Sequence, residues 1–225
     1  MRPSRTTAVN KLRELKQRTK IIRGGSSAGK TIAILCILID YAIRNKNKEI
    51  SVVAESIPHL RRGALKDFLS IMRGVNRYKE KQFNRSTLKY EFISGSYIEF
   101  FSTDQPDKLR GARRTDLYIN ECNNVPFSSY QELAIRTSET VWLDYNPTSL
   151  FWVDKELVDQ PDTDFITLTY KDNEALPESI VKELEKARDK AKTSSYWANW
   201  CKVYLDGQIG SLEGACIPDW KEIDA

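Results

Sequence analysis

A glycine-rich segment, Gly24-Gly25-Ser26-Ser27-Ala28-Gly29-Lys30-Thr31, constrains this chain more than any other feature. It meets the pattern G-x-x-x-x-G-K-[ST] at every fixed position. Thr19-Lys20-Ile21-Ile22-Arg23 before it has the composition of a short strand, and Thr31 to Arg44 after it that of a helix. A strand, a glycine loop and a helix N-terminus together make an anion site. Backbone N–H groups point inward, the helix dipole favours negative charge, and glycine lets the backbone come close. Lys30 is placed to reach the β- and γ-phosphates of a nucleoside triphosphate, and the Thr31 hydroxyl to bind Mg²⁺.

The length of the chain suits one large domain, or one domain with a small appendage. Its 225 residues allow a sizeable core, and a charged content of 29% is ordinary for a globular protein. A net charge of +4 neither requires nor repels a nucleic acid. Cysteines at 36, 122, 201 and 216 have no C-x-x-C spacing, which favours reduced thiols in a cytosol over a zinc site. The apolar run Ile32 to Ile39 is too short to cross a bilayer, and the basic N-terminus has no apolar signal core. The single histidine, His59, is expected at a helix start.

Along the front half, strand and helix alternate. Ile50 to Ala54 has strand composition and Pro58 to Met72 fits one helix, which favours a largely parallel sheet. Residues 88–93 and 97–101 flank Ser94-Gly95-Ser96 as a hairpin. A basic loop with Arg110, Arg113 and Arg114 leads into a strand, Asp116 to Glu121. A helix over 128–136, a strand over 140–145, a short helix over 151–158 and a strand over 164–169 follow. From Pro177 to Tyr204 the pattern is helical. Ile180, Val181, Leu184 and Ala187 form one apolar stripe and Trp197, Trp200 and Tyr204 another, as expected of a packed helix pair.

Hydrolysis needs more than a phosphate loop: one group must orient the attacking water and another must support the Mg²⁺ shell. The candidate segment is Leu117-Tyr118-Ile119-Asn120-Glu121. Glu121 sits where a water-activating carboxylate belongs. Asn120 stands where an aspartate is usual; its oxygen can accept from a Mg²⁺-bound water but adds no charge. Asp144-Tyr145-Asn146-Pro147 ends the next strand, and ligands sit at the carboxyl ends of strands in such sheets. Asn146 is the first choice for contacting the γ-phosphate and Asp144 the second; an Asx turn is the bland alternative. Arg110 or Arg113 could serve as an arginine finger on a neighbouring subunit's ATP, with the remaining guanidinium groups on DNA phosphates; the bland alternative is a solvated loop. Arg61 and Arg62 are weaker candidates for facing DNA.

In order along the chain, the phosphate loop, Leu109-Arg110-Gly111, Tyr118 to Asn123, and Leu143 to Pro147 resemble the large terminase subunit of tailed bacteriophages. Val203 to Gly214 is similar to the stretch where that family's ATPase domain gives way to its nuclease domain. The resemblance implies a RecA-like (ASCE) P-loop NTPase core over 1–174, a helical lid subdomain over 175–205 and a linker over 206–225. It implies a motor in the cytoplasm of the infected bacterial host that hydrolyses Mg²⁺-ATP to move double-stranded DNA into a procapsid. Its partners would be the portal protein, the small terminase subunit and further copies in a ring, with no membrane. Lys30 and Thr31 would bind ATP and Mg²⁺, Glu121 would be catalytic, and residues 144–146 would couple hydrolysis to motion. Asp206, Glu213 and Asp219 read as linker acids, and the chain as an ATPase fragment without the nuclease. Gln17 is a weak candidate for adenine recognition. A helicase, a small-molecule kinase and a non-hydrolysing nucleotide-binding module remain alternatives.

Overall fold

Alternating side chains on six parallel strands divide the core between two faces. The computed structural model describes residues 5–105 and 109–210. Its sheet runs β3-β4-β5-β2-β6-β7-β1-β8. The strands are β1 (Thr19–Gly24), β2 (Glu49–Ala54), β3 (Phe83–Asn84), β4 (Lys89–Glu91), β5 (Tyr97–Ser102), β6 (Arg114–Ile119), β7 (Thr137–Tyr145) and β8 (Thr163–Leu168). From β5 to β8 every neighbouring pair is parallel; β4 and β3 add an antiparallel edge.

Successive residues of a strand point to opposite faces. Ile22, Val52, Phe100, Tyr118 and Trp142 therefore pack on one side, under helices α1 (Thr7–Arg13), α2 (Lys30–Arg44), α3 (Ile57–Arg62) and α4 (Ala64–Gly74). Ile21, Val53, Phe101, Leu117, Ile119, Val141 and Leu143 pack on the other, under α5 (Phe127–Ala134) and α6 (Trp152–Glu156). Side chains such as Phe68, Leu35 and Ile34 are wholly buried, each contributing about 1.5–3 kcal/mol. Among the described residues no helix is long and apolar enough to cross a membrane.

The last two helices, α7 (Glu178–Lys190) and α8 (Ser195–Tyr204), form the expected pair. Leu184, Ala187, Cys201 and Leu205 close around Tyr170, with Trp197 and Trp200 packed against them. The Ser194 hydroxyl caps α8 by accepting from the Trp197 N–H. Asp206 pairs with Arg188 at 2.8 Å, so the chain leaving α8 is tied back to α7. Glu213 and Asp219 lie outside the described residues.

Three local expectations need correction. The helix over Pro58 to Met72 is two, because Gly63 breaks it with φ −101° and ψ −110°. The strand expected to end at Glu121 ends at Ile119, and Glu121 turns away in a left-handed conformation, φ 52°. Arg114 is not part of a solvated basic cluster. It opens β6, is 4% exposed, and donates to the Ser51 hydroxyl and the carbonyls of Leu133 and Ala112.

Candidate nucleotide-binding site

The phosphate loop connects β1 to α2 and borders a pocket of about 370 Å³, within the usual range for small-ligand sites. Gly29 supplies the turn into the helix with φ 75°, and no side chain caps α2. The first N–H groups of a helix have no partner within it, so these donors stand ready for an anion. Gly25 to Ile32 line the pocket. Gly24 does not: it ends β1, and a Cβ there would come within 2.4 Å of the Leu168 carbonyl oxygen.

Lys30 is the buried cation of the site. Its Nζ donates to Gly24 O at 2.9 Å, Gly25 O at 3.0 Å and Asn146 Oδ1 at 2.8 Å. Burial lowers its pKa below the ordinary 10.5, opposed by the charges of Asp144 and Glu121. So the structure brings Asn146, from the end of β7, onto the phosphate-loop lysine.

A second network joins β6 and β7. Oδ1 of Asp144 accepts from Tyr118 Oη at 2.9 Å, Asn120 Nδ2 at 3.0 Å and the Glu121 N–H at 3.1 Å. The same Asn120 amide reaches Thr31 Oγ1 at 3.3 Å. Asn120 is 2% exposed and lies behind the pocket wall, whereas Asp144 and Glu121 border the pocket. Glu121 Oε2 faces His59 Nε2 at 3.2 Å and the Asn124 amide at 3.4 Å. His59 thus sits in the first turn of α3, as expected of it, and also meets the candidate carboxylate.

The arginines stand apart from this group. Arg110 and Arg113 are exposed and neither borders the pocket; Arg110 edges a shallow groove with Ser128, Gln131 and Ile135. Arg61 and Arg62 are exposed on α3. Gln17 is exposed, outside the pocket lining, and its N–H donates to Asp164.

Sequence reasoning missed four contributors. Asn173 reaches in from beyond β8, where its amide donates to Ser27 O at 2.9 Å; nothing local marks it. Asp67 of α4 also borders the pocket, its pKa raised by burial. Tyr118 had a signal: it lies two residues before Asn120, hence on the same face of the strand. His59 was placed at a helix start, but not beside Glu121.

Fold and site together define a RecA-like P-loop NTPase. The Lys30 loop, the Asn146 strand and the Asn120-Glu121 strand end side by side, with β7 between β1 and β6. The chain belongs to the phage terminase large subunit family, whose sequence description matches residues 16–202. Among solved structures it is similar to the large terminase of a thermophilic bacteriophage, with TM-score 0.71 and 18% identity over 89% of this chain and 52% of that one. The same phage protein in complex with ADP superposes with TM-score 0.69, 18% identity and coverage of 89% and 51%. The Thermus phage P74-26 large terminase ATPase domain gives TM-score 0.66 and 14% identity, covering 90% of this chain and 92% of that one. No curated protein matches the sequence. At such identities the likeness speaks for the fold, and the chain spans about half the length of the thermophilic phage's terminase.

Proposed function

We propose that this chain is the ATPase motor domain of a DNA-packaging terminase, using Mg²⁺-ATP hydrolysis to move double-stranded DNA into a procapsid. One observation carries the reading. The phosphate loop, Glu121, Asp144 and Asn146 border a single pocket at the carboxyl ends of β1, β6 and β7. The thermophilic phage's terminase, in its complexes with ADP and with ATP-gamma-S, carries nucleotide on a protein of this family.

The donors present suit the ligand. Uncapped N–H groups at the start of α2 hold phosphate oxygens, and Lys30 exchanges its loop carbonyls for the β- and γ-phosphates. The Thr31 hydroxyl would be a ligand to Mg²⁺. When bound, the ion neutralises charge on the phosphate oxygens. Glu121 orients the attacking water and accepts its proton. Asn146, hydrogen-bonded to Lys30, registers where the lysine points and so whether a γ-phosphate is present. The α7–α8 pair acts as a lid, since Tyr204 lies against Gly25 of the loop. Arg110 and Arg113, away from this chain's own pocket, act on a neighbouring subunit's nucleotide in a ring. The portal protein and the small terminase subunit complete the assembly, which works in the host cytoplasm.

The test is steady-state ATP hydrolysis over a protein concentration series, with and without double-stranded DNA, beside Lys30→Ala and Glu121→Gln. Turnover that rises with concentration and is lost in both variants supports the reading. Turnover unchanged in Glu121→Gln overturns the role given to that residue. The second reading, a nucleotide-binding module without hydrolysis, draws on the His59–Glu121 pairing. Tight Mg²⁺-ATP binding with no turnover at any concentration, with or without DNA, favours it.

A further inference from the structure

We infer that Asp144, from β7, supplies the carboxylate of the Mg²⁺ site that Asn120, at the end of β6, cannot. The inference rests on the nucleotide-binding reading above. Mg²⁺ keeps several waters and is held by one or two carboxylates together with substrate phosphates. Asn120 brings no charge to its position. The carboxylates that border the pocket are Asp67, Glu121 and Asp144.

Two of these are poorly placed. Asp67 stands on α4, outside the hydrogen-bond network that joins Asp144, Asn120 and Thr31. Glu121 directs Oε2 at His59. Asp144 is 1% exposed and anchored, its Oδ1 taking three donors while Oδ2 takes none of them. The Asn120 amide spans the gap between Asp144 Oδ1 and Thr31 Oγ1, so the carboxylate and the Mg²⁺-binding hydroxyl are within one amide's reach. Among the described residues no group of three or more His, Cys, Asp or Glu forms a metal cage. One hydroxyl and one carboxylate therefore leave the ion's other positions to phosphate and water. The charge has moved sideways by one strand, with Asn120 as the neutral bridge.

A charge swap tests this. ADP affinity is measured calorimetrically in EDTA and in excess Mg²⁺ for the wild type, Asp144→Asn, Asn120→Asp and the double variant. Mn²⁺ electron paramagnetic resonance of the ADP complexes gives a second readout. The wild type should bind more tightly with Mg²⁺, and the ratio of the two affinities should fall about tenfold in Asp144→Asn, the scale seen when a residue supporting a metal site is lost. The double variant, which returns one carboxylate to the site, should recover most of the ratio. Asn120→Asp alone, with Asp144 still in place, should not show the loss seen in Asp144→Asn. A ratio unchanged in Asp144→Asn, in protein that still binds ADP, overturns the inference and leaves the nucleotide-binding reading intact. A loss that the double variant fails to restore overturns it too. Wild-type protein that binds no ADP, or Lys30→Ala that binds it equally well, removes the nucleotide-binding reading and the inference with it.

Discussion

The only histidine of the chain and its candidate water-orienting carboxylate form a pair: His59 Nε2 lies 3.2 Å from Glu121 Oε2. The two come from separate elements. His59 is on α3, directly after β2, and Glu121 follows β6, the strand beside β2. While Oε2 faces the imidazole and the Asn124 amide it is not free for a water. His59→Ala should therefore raise basal ATP turnover of the isolated domain, by less than the roughly hundredfold or more that a positioned general base is worth. A coupled assay of both proteins at equal concentration checks this; a fall in turnover would mean that His59 positions Glu121 productively.

Lys30 carries a cost to stability that nucleotide binding offsets. Burial lowers its pKa, so between the lowered value and 10.5 the unfolded chain holds a proton that the folded chain lacks. In that window stability rises with pH, by at most about 1.4 kcal/mol per pH unit. Below it, the cost of the buried cation is present in full. Lys30→Met should lose this alkaline gain and should bind no nucleotide. Urea unfolding from neutral pH to about pH 10, where free lysine titrates, reads the first.

Gly25 is the point where the loop meets the end of α8. A Cβ there would lie 1.9 Å from the Tyr204 carbonyl oxygen, and backbone has to move to admit it. Gly25→Ala should cost about 1–3 kcal/mol and weaken nucleotide binding. Ser26→Ala, at the exposed neighbour, should stay within about 0.5 kcal/mol. Thermal melts and ADP titrations of the two variants check both outcomes.

Adjacent arginines should separate by measurement. Arg114→Met removes donors from Ser51, Leu133 and Ala112 inside the fold and should cost about 2–3 kcal/mol. Arg113→Ala, at an exposed position, should leave stability within about 0.5 kcal/mol. If Arg113 acts on a neighbouring subunit's nucleotide as proposed, the variant's turnover should fall only at concentrations where the parent's turnover rises. Equal losses at every concentration would remove the finger role.

What the sequence made legible follows from how local each signal is. The phosphate loop is contiguous, and the central strands are apolar runs, so β1, β2, β6 and β7 could be located within a few residues. The break at Gly63 was hidden because Leu60, Ala64, Phe68 and Met72 keep helical spacing across it. Arg114 was grouped with Arg110 and Arg113 by charge, although its place at the head of β6 points it into the core. The Tyr118–Asn120–Asp144 network was illegible for another reason. It depends on β6 lying against β7, with Tyr118 opposite Trp142, and a local pattern carries no information about which strands pair.

The place of β7 between β1 and β6 sets a distance. Neighbouring strands lie about 4.8 Å apart, so the strand feeding the phosphate loop and the strand leading to Glu121 are held roughly 10 Å from each other. With one strand as a spacer, the loop and Glu121 stand apart and still border one pocket. The sheet is a ruler, and its graduation is the width of a single peptide strand.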